Sequence, residues 1–155
     1  MPELQSPLDA FLKWEKQIPN QIFLNQPVNG KNISYTFARA GEEARKIASA
    51  LKGYNLPKHS HVALLSKNCA HWILSDLAIM MAGCVSIPIY PTLNADTIKQ
   101  ILKHSESKAI IIGKLDNYES QKTGIPDIPK ISIELYGIHE KLTWEKLVKQ
   151  HNPVQ

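Results

Sequence analysis

Between Asn68 and Gly113 the chain alternates its elements in a way that leaves few folds open. A capping residue and a helical pattern are followed by an apolar run that ends in Ile87-Pro88-Ile89-Tyr90-Pro91-Thr92-Leu93. A second helical stretch and a second apolar run, Ala109 to Gly113, come next. Strict alternation of helix and strand specifies a parallel sheet, since parallel neighbours need a long crossover and a helix supplies it. Such sheets hold ligands outside the carboxyl ends of their strands. The expected class is α/β, a Rossmann-like parallel sheet flanked by helices.

With 155 residues the chain fits one domain, 1–155, and can bury roughly 70% of its unfolded surface. Its 43% hydrophobic and 21% charged residues argue against disorder. The net charge of +4 comes from dispersed lysines, with Arg39 and Arg45 the only arginines. Nucleic-acid binding calls for clustered basic residues interleaved with aromatics, so no nucleic-acid partner is expected. Cys69 and Cys84 sit in apolar surroundings and read as buried free thiols. Met1-Pro2-Glu3 opens a polar stretch rather than a secretory leader, so the reducing cytoplasm is the expected compartment; peripheral membrane association stays open. The uncharged stretch between Asp76 and Asp96 approaches bilayer length, yet Gly83, Pro88, Pro91 and several polar residues interrupt it. It reads as the second half of a helix followed by a buried strand.

Along the chain, Ser6-Pro7 starts a helix carrying Leu8, Phe11, Leu12 and Glu15, which ends before Pro19. Ile22 to Gln26 and Asn32 to Tyr35 flank Asn29-Gly30, the strongest short hairpin signal, and form a small N-terminal β-hairpin. Thr36 caps a helix with Phe37, Ala40, Ala44, Ile47, Ala48 and Leu51 inward, a Glu42–Lys46 pair outside and Gly53 at its exit. His61 to Ser66 is a strand. Asn68 is expected to cap the next helix, with Trp72, Ile73, Leu77, Ile79 or Met80, and Met81 inward. The strand Cys84 to Ile89 is so apolar that burial on both faces is expected, with Pro88 near its end. Asn94 caps a helix carrying Ile98, Ile101 and Leu102, and Ala109 to Gly113 is the next buried strand. Residues 114–129 read as a surface loop, Lys130 to Leu135 as a strand, and Leu142-Thr143-Trp144 as the start of a short helix with a Leu142–Leu147 staple.

Candidate chemistry is sparse. The seven glycines, at positions 30, 41, 53, 83, 113, 124 and 137, never fall within ten positions of each other. A phosphate cradle needs closely spaced residues of positive φ, so neither a Walker-type loop nor a dinucleotide fingerprint is present. His59-Ser60-His61 supplies two metal ligands where zinc needs three or four. Ser66-Lys67-Asn68 joins a strand end to a helix start and is the one candidate anion contact, with His71 one turn in. Cys69 and His71 point about 200° apart on a helix and cannot act as nucleophile and base. Glu42 and Glu43 lie beside Arg45 and Lys46 and are assigned to solvent.

Three blocks carry a resemblance: Ile33-Ser-Tyr-Thr-Phe with the Ala-rich helix to Leu51, His61-Val-Ala-Leu-Leu-Ser-Lys-Asn-Cys-Ala-His-Trp, and Leu77 through Ile112. Together they resemble the start of the adenylate-forming, AMP-binding superfamily of acyl- and aryl-CoA ligases. The block Ala82-Gly-Cys-Val-Ser-Ile-Pro-Ile-Tyr-Pro-Thr-Leu93 is most similar to the long-chain fatty acid–CoA ligase branch. The likeness runs from about Leu8 to Val148. It implies an incomplete N-terminal subdomain of the acyl-CoA synthetase fold. It also implies an enzyme that uses ATP, Mg2+ and coenzyme A to turn an acid into its adenylate and then its thioester.

The family's phosphate loop normally follows the segment matching Leu142 to Val148, and its adenine, ribose and lysine motifs come later. No catalytic, cofactor-binding or metal-ligating residue is therefore expected in 1–155, and this segment alone is expected to be inactive. The Gly-Asp usual before the strand at Val62 is replaced by His59-Ser60. The implied partners are the remainder of the same enzyme and a fatty acid, with self-association through an exposed docking face. A stand-alone binding module, or the same superfamily acting on an aryl or amino acid, are the alternatives.

Overall fold

A computed structural model describes residues 5–153. Helix α1 (Pro7–Gln17) opens on a reciprocal cap in which Ser6 Oγ accepts from the Asp9 amide and the Asp9 carboxylate accepts from the Ser6 amide. Strands β1 (Ile22–Val28) and β2 (Lys31–Thr36) form an antiparallel hairpin. Its turn holds Asn29 at φ 51° and Gly30 at φ 76°, the two left-handed residues that a two-residue hairpin of matching twist requires. Thr36 Oγ1 then accepts from the Arg39 amide at 3.1 Å and caps α2 (Phe37–Lys52). The Glu42–Lys46 pair forms at 3.2 Å on its outer side.

The second sheet has five strands, β3 (His61–Leu65), β4 (Val85–Ile89), β5 (Ala109–Ile112), β6 (Lys130–Ser132) and β7 (Leu142–Thr143), in the order β4-β3-β5-β6-β7. Every neighbouring pair is parallel. Helices α3 (Ala70–Met81) and α4 (Ala95–Ser105) cross over between β3, β4 and β5, and α6 (Trp144–Gln150) follows β7. Because side chains alternate along a strand, β3 and β5 feed two cores. Val62, Leu64, Ala109 and Ile111 pack with α2, α3 and α6 on one face. Ala63, Leu65, Ile110 and Ile112 pack with Ile98 and Leu102 of α4 on the other. The sheet is thus wound on both sides.

Five expectations change. Strand β4 is an edge rather than a strand buried on both faces: Val85 is 41% exposed, because the sheet ends there. Pro88 suits that edge. The Val85 amide points inward to the Ser60 carbonyl, so Pro88, three positions on, belongs to the outward-facing set and costs the ladder no donor. Helix α3 turns His71, Leu74, Ser75 and Ala78 inward along with Leu77 and Ile79, whereas Trp72, Met80 and Met81 are half-buried and Ile73 is exposed. Packing against both α2 and the sheet widens its buried face beyond the stripe that large apolar residues mark.

Residues 114–129 are more than a loop. They contain α5 (Tyr118–Gln121) and a 3-10 turn, Lys122–Gly124, and Tyr118, Gln121, Gly124 and Ile125 are buried. Gln121 Nε2 donates to the carbonyls of Pro91 and Leu93, and a Cβ on Gly124 would run into the backbone of Ala95. Strand β6 stops at Ser132, and Glu134–Tyr136 forms a 3-10 turn before Gly137 at φ 84°.

The fifth change concerns the start of α3. Cys69 occupies the cap position, Asn68 does not cap, and no side chain of the local segment bonds the first turn. Instead Gln26 of β1, 5% exposed, reaches across and accepts the Ala70 amide proton at 2.8 Å. Gln26→Leu is expected to cost about 1–2 kcal/mol, the loss of a buried helix cap, read as a lower urea midpoint with an unchanged slope. An unchanged midpoint would show that the hairpin does not hold this helix.

Candidate functional site

The order β4-β3-β5 means that the chain leaves β3 in one direction and returns past it to β5 on the other side. At such a switch point the loops after the two central strands diverge and leave a crevice. Here those loops are Ser66-Lys67-Asn68 after β3 and Gly113-Lys114 after β5. With Tyr90 and Pro91 from the end of β4, they line an open cleft of about 500 Å³. Tyr90 is 78% exposed at its rim. The predicted anion contact therefore lies at the sheet's ligand-binding end, joined by Lys114 and Tyr90, which sequence spacing did not connect to it.

Four backbone donors and one lysine at this end are already used. The Lys67 amide donates to the Lys114 carbonyl at 2.8 Å, the Gly113 amide to the Leu65 carbonyl at 2.9 Å, and the Lys114 amide to Ser66 Oγ at 3.0 Å. The Ala70 amide is held by Gln26. Lys67 Nζ pairs with the Asp116 carboxylate at 2.8 Å. Gly113 stands where a Cβ would collide with the Ser66 side chain, so it serves close packing of two strand ends rather than a cradle.

His71 does not face the cleft. It is 3% exposed, and its ring meets Tyr35, Tyr136 and Trp144 edge-on at centroid distances of 5.7, 5.3 and 5.2 Å. Its Nδ1 lies 2.9 Å from the Tyr136 hydroxyl. Burial strips water from the imidazolium and the Arg39 guanidinium repels it, which lowers the His71 pKa from 6.5 to about 4. The ring is neutral at pH 7 and shares one hydrogen bond between Nδ1 and the Tyr136 hydroxyl. Burial also pushes the Tyr35 hydroxyl up to about 12 and raises Tyr136. Trp144 Nε1 donates to Glu43 Oε1 at 3.1 Å, so Glu43 is a partly buried acceptor rather than a solvated charge, and Arg39 completes its pairing at 3.0 Å.

The remaining candidates fall apart in space. His59 sits in a turn at φ 66°, and His61 Nδ1 donates to the Ser105 carbonyl at 2.7 Å, at the end of the sheet away from the cleft. Cys69 and Cys84 are free, one half-buried and one buried, and flank the two ends of the 12-residue α3. That separation, roughly 18 Å along the axis, excludes a disulfide between them. Among the described residues no three His, Cys, Asp or Glu side chains converge as metal ligands. No helix among them is long and apolar enough to cross a membrane.

A doubly wound parallel sheet, with its cleft at a switch point and a hairpin and helices laid against one face, defines a Rossmann-like α/β lobe. Residues 11–153 match the family described as AMP-binding enzyme, and the chain belongs to that family. It is 25% identical over 115 residues to Long chain acyl-CoA synthetase 2 of Arabidopsis thaliana, covering 71% of this chain and 17% of that protein. It is 31% identical over 98 residues to Putative acyl-CoA synthetase YngI of Bacillus subtilis, covering 63% of this chain and 17% of the relative. The chain thus spans about a sixth of the curated relatives it matches.

Among solved structures, the anthranilate CoA ligase AuaEII in complex with anthranoyl-AMP superimposes with a TM-score of 0.78 at 19% identity, covering all of this chain and 30% of that one. A benzoate CoA ligase from Burkholderia xenovorans LB400 gives 0.78 at 17% identity over 97% of this chain and 29% of its own. Likeness at these identities establishes the fold.

Proposed function

We propose that this chain is the scaffold segment of an ATP-dependent, AMP-forming fatty acid–CoA ligase and is inactive by itself. In that reaction the acid and ATP give an acyl-adenylate and pyrophosphate, and the thiol of coenzyme A then takes the acyl group. The observation that carries the reading is the commitment of the strand-end donors. Lys67, Gly113, Lys114 and Ala70 all spend their amides on protein acceptors, and Lys67 spends its charge on Asp116.

A magnesium triphosphate needs several convergent free amides and carboxylate ligands. The described residues at this end do not fit it, so no step of the reaction is assigned to them. Their role is to fix the ends of β3 and β5 against which the rest of the enzyme closes. The exposed edge of β4, with Val85 and Tyr90, supports a docking face for that remainder.

A fatty acid is preferred over an aryl acid because the curated relatives named above are acyl-CoA synthetases at 25–31% identity. The aryl-acid ligases share the fold at 17–19% identity, which carries no substrate. The two free thiols support a cytoplasmic setting. The purified 155-residue chain, given ATP, magnesium and palmitate, is expected to release no pyrophosphate; release above a heat-treated control would overturn the proposal. The coding sequence beyond Gln155 supplies the second check. Continuation into a glycine-, serine- and threonine-rich loop supports the ligase, and a stop codon there supports a stand-alone binding module instead.

A further inference from the structure

We infer that the end of the main sheet opposite the strand-end cleft docks on an anionic lipid bilayer, through lysines that the parallel topology gathers there. Parallel strands all begin at one end, so residues that lead into them land on one rim whatever their place in the sequence. Lys108 immediately precedes β5, Lys130 opens β6 and Lys141 immediately precedes β7. These three strands are neighbours, so their lysines form a row stepped by roughly 5 Å per strand. Lys58 lies in the turn that enters β3, and Lys103 is in the last turn of α4. Both adjoin the row, because the Lys108 amide donates to the His61 carbonyl at 2.8 Å and His61 Nδ1 to the Ser105 carbonyl at 2.7 Å. Lysines dispersed along the chain thus collect on one face.

The fold itself does not consume this charge. Lys103 and His104 answer the negative end of α4. Lys58, Lys108 and Lys141 are exposed, lie in no helix and, among the described residues, pair with no carboxylate. Every ion pair among those residues lies instead on α2 or in the segments after β3 and β5. The carboxylates near the rim are Glu106, Asp127 and Glu140, and the Tyr118 hydroxyl already engages Glu140. What the face lacks selects the partner. Arg39 and Arg45 are on α2, and the exposed aromatics Trp14 and Tyr90 are on α1 and at the strand-end cleft. Single-stranded nucleic acid calls for aromatic stacking platforms, and a protein interface for buried aromatic or arginine anchors. A surface of anionic headgroups needs only lysines spread across a face.

The test is co-sedimentation of the 155-residue chain with vesicles rich in phosphatidylserine, beside vesicles of phosphatidylcholine alone. Binding is expected to the anionic vesicles only, and to vanish at about 1 M salt, where the screening length falls to about 3 Å. The triple variant Lys58→Gln, Lys108→Gln, Lys141→Gln should partition about a hundredfold more weakly, roughly fivefold for each lysine. Lys13→Gln, Lys16→Gln, Lys31→Gln changes the net charge equally on α1 and the hairpin and should bind within about threefold of the parent. All six positions are exposed, so both variants should keep the parent's thermal midpoint. Equal loss in the two variants, equal binding to both kinds of vesicle, or tighter binding to an oligonucleotide than to the anionic vesicles would each overturn the inference. No substrate enters this test. Absent vesicle binding removes the docking face and leaves the ligase reading, whereas pyrophosphate release by the chain removes that reading and leaves the docking face.

Discussion

Trp144→Ala is expected to lower the unfolding free energy by about 3–5 kcal/mol, the range for deleting a fully buried tryptophan. In a chain of this size that is a fall in the thermal midpoint of about ten degrees. Trp144 is 1% exposed and closes the core between α2 and α6. It stacks edge-on to His71 and donates to Glu43, a residue 101 positions earlier. The alanine leaves a cavity and also strips a partly buried carboxylate of a donor, so the two losses add. Trp144→Phe keeps most of the volume and should cost about 1–2 kcal/mol, chiefly the lost hydrogen bond. Equal effects from the two variants, measured by chemical denaturation, would mean that the cavity is not what matters.

Acid is expected to destabilise the fold through His71. Its folded pKa, about 4, lies below the ordinary 6.5, so the native state favours the neutral ring. Stability from this source is complete above pH 6.5, declines as pH falls toward 4, and levels off below that, where both states bind the proton. With 1.36 kcal/mol for each pH unit between the two values, the loss amounts to about 3 kcal/mol. The groups around the ring do not rescue the cation. Arg39 opposes it, Glu43 is already engaged by Arg39 and Trp144, and the Tyr35 and Tyr136 hydroxyls stay protonated. His71→Gln is expected to flatten the profile between pH 7.5 and 4.5 while lowering stability at pH 7.5. If the variant loses as much on acidification as the parent, another group is responsible.

Both effects act on the buried aromatic cluster rather than on the strand-end cleft, and neither was visible in the sequence. His71 reads there as an adjunct to the candidate anion contact, one turn into a helix, because the spacing of Trp72, Ile73 and Leu77 draws the apolar stripe elsewhere. What turns it inward is the presence of α2 and α6 on that side, brought there by a chain 65 positions away at Tyr136. The Ser66-Lys67-Asn68 corner was legible because a strand end followed by a helix start is a local pattern. Lys114, Gln26 and Tyr90 join it only when the strand order is known.

The sequence by itself determined the caps at Ser6, Thr36, Asn94 and Thr143, the left-handed turn at Asn29-Gly30, and the alternation that makes the main sheet parallel. Each of these depends on residues within about four positions of one another, or on a repeating period, so neighbours in the chain suffice to set them. Tertiary structure alone decided that β4 is an edge, that Gln26 rather than Asn68 holds α3, and that Glu43 faces Trp144. Those outcomes depend on which surface arrives from 44 or 101 residues away, and a buried polar atom accepts whichever partner packing delivers to it.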